Sequence, residues 1–252
     1  MESKFTILWL DRVDSTNDEA VRRMETLDNL SVIAAVEQFS GRGRRGNSWH
    51  SAPGDNLTFS IVLKGNGGSL EGLSPSRQFA ISRLSALTIC DFLSEEGVDA
   101  RIKWPNDIYI GNRKVCGMLI ENSVSAGALT RSVIGIGLNL NEKDFPPYLV
   151  NPTSLTIQNG REYALEPVLE RICGFFLSRL PMLGSEDGLT ILEKEYHSRL
   201  YRLGEWKEYR NLASSETFEG RIDGVTDKGY LKVTTREGLR KEFALNEIGY
   251  II

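Results

Sequence analysis

The sequence predicts an α+β fold, a mixed or antiparallel sheet with helices, followed by a small all-β unit. Three observations lead there. Helical and strand-like hydrophobic periods both occur before Gly204. Four strand-like segments follow one another between residues 100 and 140, joined by short turns. Beyond Gly204 only short alternating segments remain, separated by turns such as Asp227-Lys228-Gly229.

Taken in order, residues 5–10 read as a strand, and Asp14-Ser15-Thr16-Asn17 supplies capping side chains ahead of Ala20, Val21, Met24 and Leu27 at helical spacing. Residues 31–36 and 57–63 are strands around a Gly-, Arg- and Ser-rich loop at 40–54. Residues 77–93 form a helix with one buried face, and Gly97 ends it. Strands are then expected at 101–104, 108–110, 115–121 and 132–140, with a Gly111-Asn112 turn between the second and third. Pro146, Pro147 and Pro152 interrupt the pattern, and helices follow at 165–180 and 189–203. The tail carries strands at 217–222, 230–234 and 241–245, read as a small β-barrel of about 48 residues.

The 252-residue chain is 40% hydrophobic, enough to bury a core without covalent staples. A formal net charge of −4 argues against non-specific attraction to nucleic acid or acidic membrane. Cys90, Cys116 and Cys173 are odd in number and far apart, which fits neither a disulfide framework nor a thiolate zinc site. No signal-peptide pattern and no apolar run of membrane-spanning length stands in the chain, so a cytoplasmic protein is expected.

Four motifs carry chemistry. Gly41-Arg42-Gly43-Arg44-Arg45-Gly46 follows a strand and sets three guanidinium groups on backbone that a ligand can approach, which suits a phosphate or other oxyanion. Its G-x-G-x-x-G spacing is not the dinucleotide fingerprint, because no helix opens after it. A solvated basic loop or an RNA contact is the alternative, and Trp49 nearby favours a site. Lys103-Trp104-Pro105-Asn106-Asp107 packs a cation, a ring, a rigid turn and a carboxylate at a strand end. Lys114 lies across the hairpin from Asp107, as an ordinary cross-strand ion pair or as part of a site. In Gly135-Ile136-Gly137-Leu138-Asn139 alternate glycines bare one face of a strand, for a ligand or for tight packing. With only His50 and His197, and no G-x-x-x-x-G-K-[ST], H-E-x-x-H or G-x-S-x-G, other common catalytic motifs are missing.

In order, Ser15-Thr16-Asn17, Gln38 with G-R-G-R-R-G and Trp49, K-W-P-N-D, K-V-C-G-M-L-I-E from Lys114 and G-I-G-L-N resemble the biotin–protein ligase family. The resemblance implies a fold like class II aminoacyl-tRNA synthetases and biotin synthetases, with a catalytic biotin- and ATP-binding domain at 1–203 and a small SH3-like domain at 205–252. It implies a two-step reaction: biotin and ATP, with Mg2+, give biotinyl-5'-adenylate, and a lysine of a biotin carboxyl carrier protein then displaces AMP.

By the same resemblance Ser15, Thr16, Asn17 and Gln38 would hold the biotin ring system. Arg42, Gly43 and Arg44 would hold biotin and the adenylate phosphate, with Arg44 also counted as catalytic. Trp49 would stack near the adenine and Asn139 would reach adenylate or phosphate oxygens. Lys114 would polarise the mixed anhydride, Asp107 would orient or deprotonate the acceptor lysine, and Lys103 would steer phosphate oxygens or pair with Asp107. Gly41, Arg45, Asn106, Gly117 and Gly137 belong to the implied binding set, and no residue is implied as a metal ligand. Repressor-type members carry a helix-turn-helix domain ahead of Ser-Thr-Asn. With 14 residues before Ser15, neither DNA nor a membrane is an expected partner, and a homodimer stays open. The alternatives are a lipoate–protein ligase, a catalytically idle biotin or nucleotide sensor, and an RNA-binding module.

Overall fold

The computed structural model describes residues 4–252, with Arg45 described by its backbone only. The first strand, β1 (Thr6–Val13), runs into α1 (Thr16–Arg22), whose N-terminus is capped by the Ser15 hydroxyl accepting from Asp18 N–H. The helix stops earlier than the apolar spacing to Leu27 implies. After Arg22 the backbone tightens to i→i−3 bonds, Met24 N–H to Val21 O (3.3 Å) and Thr26 N–H to Arg23 O (2.9 Å).

Next come β2 (Ser31–Gln38), the long polar loop, and β3 (Leu57–Lys64). The helix α2 (Phe79–Glu95) ends as its sequence implies: Gly97 sits at φ +78, donating to Ser94 O, while Val98 N–H reaches Leu93 O. Then β4 (Ala100–Lys103), β5 (Asp107–Ile110), β6 (Arg113–Ser125) and β7 (Ala128–Leu138) form successive antiparallel pairs. The resulting seven-stranded sheet has the order β1-β2-β3-β7-β6-β5-β4, with β1–β2 parallel and the other pairs antiparallel. It is the mixed sheet the strand pattern predicts.

Alternation along the strands sorts the two faces. Val32, Ala34, Phe59, Ile61, Ile134 and Ile136 belong to the main core together with α2. The other face carries Ile33, Val62 and Val133 against Ala20 of α1 and Met24 in the turn that follows it. Further along that second face the same period sets Thr58, Ser60, Gly117, Gly135 and Gly137, small residues that leave space above the sheet. The candidate site lies there.

A short helix, α3 (Leu155–Asn159), follows the proline-rich stretch; one turn and a half is too short to show a helical period in sequence. The helices α4 (Leu165–Arg179) and α5 (Glu186–Ser198) pack on α2, covering the main core. Beyond them stand β8 (Trp206–Asn211), β9 (Thr217–Val225), β10 (Leu231–Thr235), β11 (Arg240–Phe243) and β12 (Ile248–Tyr250). Two of these strands, β8 and β12, carry too few apolar alternations to stand out in the sequence.

The expected barrel is instead an open antiparallel sheet, order β11-β10-β9-β8-β12, whose end strands do not pair with each other. After β12 the chain is held by Arg202, whose Nη1 donates to Ile251 O at 2.9 Å. The sheet's apolar face, with Tyr209, Ile222, Val225, Leu231 and Val233, is continuous with the main core. Its turn at 226–229 is gripped from the first sheet's side: Trp104 Nε1 donates to Gly229 O (2.9 Å), and the buried Arg83 reaches Thr226 O (3.2 Å) and Asp227 (3.3 Å). Among the described residues no helix is long and apolar enough to cross a membrane.

Candidate functional site

A cavity of about 170 Å³ opens on the small-residue face, between α1, the polar loop and the ends of β5, β6 and β7. Ser15, Thr16, Asn17, Gln38, Arg42, Gly43, Arg44, Trp49, Asn106, Asp107, Lys114, Gly117 and Gly137 all line it, though they come from segments up to 122 positions apart in the chain (137 minus 15). Most of the residues expected at a site from sequence are thus gathered in one place.

The α1 end is a fixed polar array. Gln38 Oε1 accepts from Thr16 N–H at 2.9 Å and from its hydroxyl at 3.3 Å. Ser60 Oγ lies 2.8 Å from Thr16 Oγ1 and 2.6 Å from Asn17 Oδ1, while Asn17 Nδ2 donates to Leu119 O (3.2 Å) and Glu121 Oε2 (2.7 Å). Every polar atom of the Asn17 amide therefore has a partner, which holds its orientation against rotation.

The loop closes over this array as a small hairpin of its own. Arg42 and Ser48 bridge antiparallel, Gly43 N–H donates to Asn47 O (2.7 Å), and a 3-10 turn at Arg44–Gly46 makes the tip. Trp49 N–H returns to Gly41 O at 2.8 Å, which is Gly41's part in the loop; it does not itself line the cavity. Arg42 Nη2 is within 2.7 and 2.8 Å of the Glu121 oxygens and 3.2 Å of Asp18 Oδ1. Glu121 thus joins the loop to the Asn17 array. The side chain of Arg45 lies outside the described residues, and Arg44 borders the cavity.

The opposite wall is the β5–β6 hairpin. Lys114 Nζ meets Asp107 Oδ1 at 2.7 Å, the cross-strand pair the turn implies, and stands 5.4 Å from the centre of the Trp49 ring. Asn106 borders the cavity but spends its groups on the backbone of Met118: it accepts from Met118 N–H at 2.9 Å and its amide donates to Met118 O. The alternate glycines of β7 serve close side-chain packing here. A Cβ at Gly135 would run into the Asn17 amide, and one at Gly137 into the Trp49 indole. The Trp49 Nε1 is buried and finds no acceptor among the described residues, so the indole carries a donor that a bound molecule can take.

Two expected members stand elsewhere. Lys103 does not border the cavity: its Nζ sits over the rings of Tyr109 (5.0 Å) and Tyr250 (4.8 Å), and burial pushes its pKa down while Asp107 pulls it up. As the register partner of Asp107 it shares that residue's face of the hairpin, but its ammonium turns to the aromatic rings instead of the carboxylate. Asn139 Nδ2 donates to Thr153 O at 2.9 Å, and the residue borders a neighbouring cavity of about 390 Å³ that also touches Trp49, Lys114 and Tyr148. Sequence reading missed Ser60 and Glu121. Glu121 closes the K-V-C-G-M-L-I-E run but has no spacing signal toward Asn17 or Arg42, and Ser60 is one hydroxyl inside an apolar strand.

A glycine-arginine loop and a strand lysine here face a rigid hydrogen-bonding array across a small cavity, an arrangement suited to a polar small molecule. The sequence profile of the Biotin/lipoate A/B protein ligase family matches residues 9–139. A protein of Paracoccus denitrificans named biotin–[acetyl-CoA-carboxylase] ligase is 32% identical over 231 residues, 88% of this chain and 91% of that one. The bifunctional ligase/repressor BirA of Bacillus subtilis is 30% identical over 224 residues; the match covers 87% of this chain and 66% of BirA, so the chain spans just under two thirds of that relative's length. A biotin protein ligase from Aquifex aeolicus, solved with biotin and ATP, superposes with a TM-score of 0.77 at 26% identity, covering 96% of this chain and 97% of that one. The chain belongs to the biotin/lipoate A/B protein ligase family.

Proposed function

We propose that the protein activates biotin with ATP to biotinyl-5'-adenylate and transfers the biotinyl group to a lysine of a biotin carboxyl carrier protein. The observation that carries this is the Lys114–Asp107 pair, 2.7 Å apart, on the wall facing the Thr16–Asn17–Gln38 array with Arg42 and Arg44 between. The names of the Paracoccus and Aquifex relatives support biotin over lipoate.

In this reading the α1 array recognises the polar edge of biotin, for which pre-placed donors and acceptors are needed in a partly apolar pocket. Arg42, released from Glu121, and Arg44 offset the charge that grows on the α-phosphate as the biotin carboxylate attacks. Lys114 holds the carbonyl and phosphate oxygens of the mixed anhydride, and the Trp49 indole donates to or stacks on the nucleotide, which extends toward Asn139 in the neighbouring cavity. An acceptor lysine arrives mostly charged at neutral pH and must lose a proton before it attacks; Asp107 receives and orients it. Among the described residues no group of three or more His, Cys, Asp or Glu side chains stands ready to hold a metal. Magnesium, in this reading, comes with the ATP phosphates.

We further propose that residues 1–203 form the catalytic unit and 205–252 a supporting one, and that the protein works in the cytoplasm, where its three free thiols persist. The test is incubation with ATP, Mg2+ and either biotin or lipoate, following pyrophosphate release and, by mass, transfer to a biotin carrier domain. Biotin-dependent pyrophosphate with a biotin-sized gain on the carrier is expected. Activity with lipoate alone would move the protein to the lipoate branch of the family, and tight biotin binding without either product would make it a sensor.

A further inference from the structure

The segment from Lys103 to Asp107 is held from the C-terminal sheet at two points. Trp104, 2% exposed, donates to Gly229 O. One residue earlier, the Lys103 ammonium lies between the ring of Tyr109 on β5 and that of Tyr250 on β12. Tyr250 is itself well fixed: it pairs in register with Tyr209, packs on that ring at 5.4 Å, and lies 6.2 Å from the ring of Tyr201. Its hydroxyl is buried and has no hydrogen-bond partner among the described residues, so the ring face is the part that does the holding.

Lys103 stands opposite Asp107 where β4 and β5 meet. Freed from the rings, a four-carbon side chain at that position can reach the carboxylate across from it. It would then compete with Lys114, and with an arriving amine, for the Asp107 oxygens. An ammonium between two aromatic faces is held by attraction to both, and the apolar stem gains from the same surface.

We infer that Tyr250 is a positioning residue for the transfer step: its ring keeps Lys103 off Asp107, leaving that carboxylate paired with Lys114 and open to the acceptor amine. The inference rests on the ligase reading above and gives the C-terminal sheet a part in that reaction.

The experiment uses the full chain and separates the two half-reactions, biotin-dependent exchange of labelled pyrophosphate into ATP and transfer from preformed biotinyl-5'-adenylate to a biotin carrier domain. Tyr250→Phe is expected to match the parent in both. Tyr250→Leu is expected to lower kcat of transfer about tenfold, the size of a desolvated cation–ring contact, with exchange and the KM for the carrier domain little changed. Adding Lys103→Met to Tyr250→Leu is expected to restore transfer, because the competing cation is gone; a purely structural role for Tyr250 would not be repaired by that change. Should Tyr250→Leu lose its melting transition, Tyr250→Met, which keeps bulk without a ring face, is read by the same split. Equal loss in both half-reactions, no loss, no recovery with Lys103→Met, a Phe variant as impaired as Leu, or failure of both Leu and Met variants to fold would overturn the inference. A parent chain without biotin-dependent exchange would overturn the ligase reading itself and the inference with it.

Discussion

Gly135→Ala tests the site without touching any group assigned to chemistry. Gly135 lies in the middle of the sheet, paired with Ser60 on one side and Leu119 on the other, in ordinary strand conformation, so only space is at issue. The new methyl would run into the Asn17 amide. That amide cannot step aside freely, since it holds bonds to Ser60 Oγ (2.6 Å), Leu119 O (3.2 Å) and Glu121 (2.7 Å). Each such bond contributes about 0.5–1.5 kcal/mol net, while replacing glycine by alanine stabilises by about 0.4–1 kcal/mol through the unfolded chain. Displacing Asn17 should therefore leave a net loss of about 1–3 kcal/mol. If the displaced Asn17 costs biotin binding the same 1–3 kcal/mol, affinity should fall by about five- to a hundredfold, each 1.4 kcal/mol being a factor of about ten. Urea unfolding and calorimetric biotin titration measure the two. The matched control is Gly174→Ala, on the exposed face of α4 with nothing within 4 Å of a Cβ, expected to stabilise by about 1 kcal/mol. A Gly135→Ala protein as stable as the parent and binding biotin as tightly would refute the claim that Asn17 is locked against Gly135.

Lys114→Ala should slow adenylate formation or transfer by about a hundred- to a thousandfold, the range for one positioned charge, and keep a cooperative melting transition; loss of the fold would count against its role at the cavity. His197 is held below its usual pKa by burial, and Val225 N–H donates to its Nε2 at 2.9 Å. As pH falls, the unfolded chain takes up the proton first, near pH 6.5. The stability contributed by the neutral ring is thus present above that pH and lost as pH falls toward and through the lower folded value. Unfolding midpoints between pH 7.5 and 5 should drop more for the parent than for His197→Gln; equal slopes would remove His197 from the account. Burial pushes Cys90 and Cys173 up to about 12 and raises Cys116 as well, so none should react with a thiol reagent at pH 8 until the protein is unfolded; native-state labelling would show that the core opens locally.

The sequence by itself determined whatever depends on neighbours along the chain. Apolar alternation set the strands from β2 to β7, since side chains two apart share a face wherever the sheet is placed. The Gly111-Asn112 turn put Lys114 and Asp107 within reach, because a hairpin turn fixes the register of the strands beside it. The ordered motifs carried the family resemblance. Tertiary structure alone decided which distant groups meet. Asn17 and Glu121, 104 positions apart, share a hydrogen bond, and Trp104 and Gly229, 125 apart, share another. Alternate glycines in β7 announced that something comes close, but only the packing of α1 and the loop says that the Asn17 amide and the Trp49 indole are what comes. The same holds for Lys103. A lysine in the same short motif as Asp107 looks like a partner of that carboxylate, and it does share its face as a register partner, yet its ammonium goes to the aromatic faces of Tyr109 and Tyr250, because only the tertiary structure brings the Tyr250 ring of the C-terminal sheet to that place.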